Sequence, residues 1–388
     1  MKTYFKKLFV LPLVVAAIGW VLAGKVTAQT FTTLYSFTGG GGGAFPLAGL
    51  VLSSNTLYGT TFAGGNPSDL YGNGTLFAVN IQGTGFTTVY SFTATPFPGP
   101  YTNSDGAGPS GDRVLSGNTL YGTAVAGGAW ESGTVFALKT DGTGFTTLYN
   151  FTASGSDTSG AYTNSDGTAP NGLILSGNTL YGTAQRGGSS GNGTVFKLNT
   201  DGTGFTTLYD FRAGSTNSSG FYTNSDGSAP IGRLISSGNT LYGTAYYGGA
   251  WGNGTLFAVN TDGTGFKNLH SFTEVDQTYY TNSDGANPQG SLILSGNSLY
   301  GTAERGGSPG PGTVFSLRLP PPQLTIITSG ANVILTWPAN FTGFTLQSAT
   351  NLSSPIWTTN LTAPVVLNGQ YTVTNPISGT QQFFRLSQ

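Results

Sequence analysis

Carboxylates are scarce in this 388-residue chain, and the ones that recur do so in a fixed setting. Tyr-Thr-Asn-Ser-Asp-Gly occurs four times, starting at Tyr101, Tyr162, Tyr222 and Tyr280, and places Asn103/Asp105, Asn164/Asp166, Asn224/Asp226 and Asn282/Asp284 in an Asn-x-Asp-Gly pattern. That is half of an oxygen-rich calcium loop, without the leading Asp and the downstream bidentate Glu that would complete it. The same residues also suit an Asx-turn, in which each Asp caps its own backbone ahead of Pro109, Pro170, Pro230 or Pro288. The turn is the preferred reading, so no metal or other cofactor is expected. In the first copy residues 39–43, all Gly, stand in place of the motif, which would break any ring of sites.

Other chemistries find fewer parts. Glycoside hydrolysis needs two carboxyl groups about 5 to 9.5 Å apart, and the only Glu residues are Glu131, Glu274 and Glu304, in unlike positions. Asp112 is the one carboxylate at the start of a first strand of its repeat, where Leu50, Leu173, Arg233 and Ser291 are read as its counterparts. Asp112 with Glu131 is therefore the enzyme alternative, a glycan-cleaving one. The single histidine, His270, stands where the other copies have Tyr35, Tyr90, Tyr149 and Tyr209, and reads as a packing variant. With no second His and no Cys, neither a triad nor a zinc site can be assembled from it, and no catalytic residue is assigned. Trp130 and Trp251 share one loop position in the second and fourth copies, with Tyr71 nearby in the first. Exposed rings there would suit stacking on a sugar face or anchoring a protein partner; the competing reading is that each indole covers the end of its own sheet.

What must position these residues is a repeat. Leu-Tyr-Gly-Thr begins at Leu57, Leu120, Leu180, Leu241 and Leu299, at intervals of 63, 60, 61 and 58 residues, and Gly-Thr-(Val/Leu)-Phe follows each at Gly74, Gly133, Gly193, Gly254 and Gly312. A period this regular marks one supersecondary unit stacked on copies of itself. In the third copy the apolar pattern breaks into four β-type runs, a (173–175), b (179–184), c (194–199) and d (205–211), joined at Ser176-Gly177-Asn178 and Thr200-Asp201-Gly202 by residues that tolerate the positive φ of tight turns. Strand d alternates, yet carries apolar side chains on both faces, so both faces should be covered by neighbouring sheets. Four antiparallel strands in about 60 residues describe a β-propeller blade. The d motif is out of step: it occurs at 31–37, 86–92, 145–151, 205–211 and 266–272, once before the first b strand and never after the last. If 31–37 completes the last unit, an all-β, five-bladed propeller closes without an open edge.

Antiparallel order sorts the connections onto two sides. The a–b and c–d turns are short; the b–c and d–a loops are long and varied, and carry Trp130, Trp251 and the four Tyr-Thr-Asn-Ser-Asp-Gly segments. Loops on a rigid scaffold are where binding residues collect, so this side is the candidate functional face.

The ends and the composition place the protein. Lys2, Lys6 and Lys7 precede an apolar run over 8–22 and the small-residue site Val26-Thr27-Ala28, an export signal expected to be cut after Ala28. The run is short of the roughly 20 residues a membrane span needs. Loss of the signal's four lysines takes the net charge from −1 to −5, a poor footprint for nucleic acid. Only 7% of residues are charged while 13% are aromatic, which is not a composition of disorder. Absence of Cys leaves packing alone to hold the core. A monomer, secreted or at the cell surface, with a glycan or surface protein as partner, is the expectation.

The ordered set Asp-Gly-x-x-Pro, Gly-Asn-(Thr/Ser)-Leu-Tyr-Gly-Thr, Gly-Gly, Gly-Thr-(Val/Leu)-Phe and Leu-Tyr-x-Phe resembles the GloVer (gloeo/verruco) tandem repeat of exported bacterial proteins, over roughly residues 30–319. Members often carry a C-terminal anchor, and no such sorting signal is seen here; the family carries no agreed activity to transfer. The double glycine after strand b also resembles kelch propellers, whose other elements are missing. The boundaries are thus 1–28 signal peptide, 29–319 propeller, 320–322 a stiff Pro linker, and 323–388 a second domain. In the last, runs at 324–328, 333–337, 344–348, 371–374 and 383–386, with Leu-Thr-Trp and a terminal Phe-Phe-Arg-Leu, look like a small fibronectin type III-like sandwich. The function expected is a non-catalytic binding or surface-interaction module, carbohydrate being the favoured ligand.

Overall fold

A computed structural model describes residues 31–388 apart from 66–71, 97, 157–159, 219, 221, 277, 340–342, 361, 368, 378–380 and 388. The signal-peptide expectation and Tyr71 lie outside the described residues. Every regular element of the described chain is β except one short 3-10 turn, Gly40–Gly42.

The five repeats fold into five consecutive antiparallel sheets. Strands a, b, c and d are Val51–Ser53, Thr56–Thr61, Thr75–Asn80 and Thr87–Ser91 in the first; Val114–Ser116, Thr119–Ala124, Thr134–Lys139 and Thr146–Asn150 in the second. They are Ile174–Ser176, Thr179–Arg186, Thr194–Asn199 and Thr206–Asp210 in the third, and Ile235–Ser237, Thr240–Ala245, Thr255–Asn260 and Lys267–Ser271 in the fourth. The third sheet gains an extra strand, Thr168–Pro170, on its b strand. The c–d turn is set by its own residues: Asp201 Oδ1 accepts from the Thr203 amide at 2.9 Å and its hydroxyl at 2.7 Å. Those two bonds hold the Asp201 carboxyl below the usual carboxylate range, and Asp141 and Asp262 repeat the arrangement.

The glycine of Leu-Tyr-Gly-Thr has a packing reason. Gly182 pairs with Phe196 across the b–c ladder, and a Cβ there would lie 2.6 Å from Phe196 Cζ. The bare backbone lets the ring lie across its neighbour, where Phe151 of the preceding sheet meets it edge-on at 5.3 Å. Tyr149 of that preceding sheet stacks on Phe205 at 3.7 Å. Each seam between sheets is therefore aromatic, with side chains such as Val195, Phe196 and Phe211 wholly buried. A buried side chain of this size stabilises by about 1.5–3 kcal/mol, and an aromatic pair adds about 0.5–1.5 kcal/mol.

The strand register corrects one expectation, and a second is met only in part. First, the ladder pairs Val114 with Tyr121, Ile174 with Tyr181 and Ile235 with Tyr242. Hydrogen-bond register, not distance from the preceding Pro, sets equivalence, so Asp112 corresponds to Gly49, Gly172, Arg233 and Ser291, while Leu50 and Leu173 correspond to Arg113. Second, the fifth sheet has three strands among the described residues, Ile293–Ser295, Ser298–Ala303 and Thr313–Arg318, and 31–38 forms no strand. The segment instead gives its aromatics to the first sheet, Tyr35 stacking on Phe86 at 3.5 Å and Phe37 meeting Phe77 edge-on at 5.0 Å. The outer edge of Thr313–Arg318 is left open, and Val314 is 83% exposed where its equivalent Val195 is fully buried.

Beyond the prolines, Thr325–Ser329, Asn332–Pro338, Gln370–Pro376 and Val365–Leu367 form one sheet; Thr358–Thr359, Thr345–Ala349 and Phe383–Ser387 form another. Leu335, Trp337 and Val373 of the first share a core with Leu346 of the second.

Candidate binding face

The d–a loops are built onto the ends of the sheets by the motif that the sequence marks four times. Asn103 Oδ1 accepts from the amides of Gly106 (2.9 Å) and Gly128 (2.7 Å), while its Nδ2 donates to the carbonyls of Thr93 and Gly106 at 2.8 Å. Asn164, Asn224 and Asn282 make the same bonds to Gly188, Gly249 and Gly307. The d–a loop and the Gly-Gly loop of one sheet are thus stapled side by side. Both long loops share one edge, as antiparallel connectivity requires.

The Asp of the motif does something else, which corrects the Asx-turn reading. Asp105 is buried, and its Oδ2 accepts from Tyr90 Oη (2.7 Å) and the Thr93 amide (2.8 Å) of the preceding sheet's d strand. Asp166 takes Tyr149 and Thr152, and Asp226 takes Tyr209 and the Arg212 amide. The local turn belongs to Asn, which frees Asp to clasp two repeats together. Burial, then the bond to the neighbouring carboxylate, pushes the Tyr90, Tyr149 and Tyr209 hydroxyls above the ordinary phenol range. In the fourth copy His270 Nε2 meets Asp284 Oδ2 at 2.7 Å, so the histidine is a clasp residue in the tyrosine's place. Each of the four carboxylates is turned to the d strand of its own neighbouring sheet, and in Asp226 only Oδ2 is engaged, Oδ1 being buried without a partner. Gly42 occupies the equivalent place in the first repeat, 3.3 Å from Tyr35 Oη as measured from a built Cβ.

Of the expected face residues, Trp130 (56% exposed) and Trp251 (42%) stand on the Gly-Gly loops, and Tyr101, Tyr162, Tyr222 and Tyr280 are exposed on the d–a loops beside them. Tyr71 lies outside the described residues. The Tyr101 amide donates to Glu131 Oε1 at 2.9 Å, tying the loop of Tyr101 to the residue after Trp130. Asp112 has separate partners, the Gly49 amide at 3.2 Å and Arg233 at 3.8 Å, and no hydrogen bond or ion pair joins it to Glu131.

Residues not singled out by sequence join this edge. A cavity of about 380 Å³ lies between the fourth and fifth repeats, walled by Tyr222, Tyr247 and Tyr280 with Asn253, Asn287 and Arg305. Tyr222 Oη accepts from Asn192 Nδ2 (3.0 Å) and the Gly214 amide (2.7 Å), which fixes the ring. Next to it, burial, then a bond to Glu304, pushes the Tyr246 hydroxyl up to about 12. The legible signal was variation between copies: Tyr247 and Arg305 occupy the bridge position held by Ala63 and Ala126 in the first two repeats. Short hairpins, Gly155–Ser156 with Tyr162–Thr163 and Ser215–Thr216 with Tyr222–Thr223, also raise two of the tyrosines.

The sequence matches the Gloeobacter/Verrucomicrobia repeat over residues 19–217 and 213–333, and the chain belongs to that family. No curated protein matches it. Among solved structures it is similar to a chain of a nidogen/laminin complex (15% identity, 71% of this chain and 74% of that one, TM-score 0.39). It is also similar to the computationally designed Ika8 protein (14%, 74% and 69%, 0.36) and to TolB from Acinetobacter baumannii (10%, 74% and 50%, 0.36). These superpositions are too loose to carry an argument about fold or activity.

Proposed function

We propose that the chain is an exported, non-catalytic binding module, a five-bladed propeller with a fibronectin type III-like sandwich, that takes carbohydrate on its long-loop edge. The observation that carries the reading is the exposure of Trp130, Trp251, Tyr101, Tyr162, Tyr222 and Tyr280 on loops that are themselves rigidly stapled. Flat rings with one polar tip, held by a fixed backbone, suit the apolar face and hydroxyl rim of a sugar. Closure is part of the proposal: the segment 31–37 already holds on the first sheet the place that each d strand holds on the next, and the edge of Thr313–Arg318 is the pairing partner it lacks. A glycan array of the purified chain tests the binding. Retention of a glycan by the parent, lost in the Trp130→Ala/Trp251→Ala double variant, is the expected result; retention by both, or by neither, contradicts the reading.

A further inference from the structure

The a strands of the first four sheets line a second cavity, open to solvent and of about 570 Å³. Its walls are mostly aliphatic: Val51, Leu115, Ile174, Leu175 and Ile235. Two cations interrupt them, Arg113 and Arg233. At the position of Arg113 the other four copies have Leu50, Leu173, Leu234 and Leu292, so the fold itself calls for a leucine there.

The substitution costs stability, because a guanidinium out of water needs partners. Arg113 is only 3% exposed, and burial lowers its pKa to about 10 despite the nearby Asp112. Its terminal nitrogens donate to neutral groups, the Thr60 hydroxyl and the Gly49 and Gly111 carbonyls. Its Nε has no partner, and among the described residues no ion pair involves it. The one carboxylate at hand, Asp112, is shared: Oδ1 accepts from the Gly49 amide and Oδ2 stands 3.8 Å from Arg233, which is half-exposed. Two cations against one anion leave the cavity a net positive charge among its aliphatic side chains.

We infer that this inner-strand cavity binds a small organic carboxylate with an aliphatic body, its head group paired with Arg233 in the field of Arg113 and its body against the Val, Leu and Ile walls. This site is separate from the aromatic edge and does not depend on the carbohydrate reading. A guanidinium–carboxylate pair partly shielded from water by aliphatic walls is stronger than the same pair in bulk water. The aliphatic lining then selects a carboxylate with a chain over a bare oxyanion.

The test is a thermal-shift series on the full chain with hexanoate, hexanol and sulfate, since a ligand that binds only the folded state raises its melting temperature. Hexanoate should raise the midpoint in a dose-dependent way, whereas hexanol and sulfate at equal concentration should not. Arg233→Gln, at a half-exposed position, should fold normally and lose the shift. Arg113→Leu should lose it too, while melting at or above the parent because it restores the residue used by the other repeats. A hexanoate shift that survives in both variants, an equal shift with sulfate or hexanol, or none in the parent would each overturn the inference. So would an Arg113→Leu variant that melts well below the parent, because the guanidinium would then be a structural bridge between sheets.

Discussion

The third and fifth repeats carry nearly the same words, yet the structure treats them differently. In the third, Thr194–Asn199 lies between two ladders and Val195 and Phe196 are fully buried. In the fifth, Thr313–Arg318 has a ladder on one side only, and Val314 faces outward. A repeat of this kind cannot bury its own faces, so the burial of its motif is conferred by whichever strand comes next. The comparison also separates roles within the motif: Phe315 still meets Phe272 of the fourth sheet, while the aromatic partner of its own strand d is missing.

The largest expected effect is on the enclosed repeat. Phe196→Ala should cost about 3–5 kcal/mol in denaturant unfolding, and Phe315→Ala in a chain lacking residues 29–38 markedly less. Equal costs would mean that the neighbour does not set the burial. Next come the clasps: Asp166→Ala leaves the Tyr149 hydroxyl and the Thr152 amide without their acceptor, at about 1–3 kcal/mol. The corresponding change in the first repeat, at Gly42, has no clasp to lose.

The clasps also set an alkaline limit. The folded-state pKa of Tyr90, Tyr149 and Tyr209 is raised above the unfolded value of about 10. The folded state therefore keeps protons that the unfolded chain gives up, and stability falls as pH rises above about 10. Below that pH their contribution is complete. Melting temperature measured from pH 8 to 11.5 should drop beyond pH 10, and the drop should be smaller in a Tyr149→Phe/Tyr209→Phe variant. A flat profile would remove the tyrosines from the account. The smallest effect belongs to the loop edge: Trp130→Ala/Trp251→Ala should shift stability by no more than about 0.5 kcal/mol, because exposed rings contribute little to folding. Unfolding of that variant would make the indoles core residues.

How much of this could be read from sequence follows from what each residue depends on. Strands, tight turns and the long-loop edge were legible because Leu-Tyr-Gly-Thr, Asp201 and the loop lengths act locally. The partner of Asp166 was not, since Tyr149 belongs to the preceding repeat and only the stacking of sheets brings the two together. The counterparts of Asp112 failed for a related reason: equivalence followed the ladder, and Leu173 was matched to it because the third copy is one residue shorter between Pro170 and its first strand. His270 was correctly read as standing in for tyrosine, but its contact with Asp284 was invisible until the Asp had been seen as a clasp. The cavity beside Tyr247 and Arg305 comes from positions where the copies differ, which a search for shared words passes over.

Hydrogen exchange at Thr313–Arg318 tests most directly whether the next strand seals each repeat. The comparison is between a chain that begins at residue 29 and one that begins at residue 39. If 31–37 supplies the missing strand, the amides of Thr313–Arg318 in the longer chain should exchange nearly as slowly as those of Thr194–Asn199, and should become fast in the shorter one while Thr194–Asn199 stays protected. Identical exchange at Thr313–Arg318 in the two chains would contradict closure and leave the fifth repeat as an open edge.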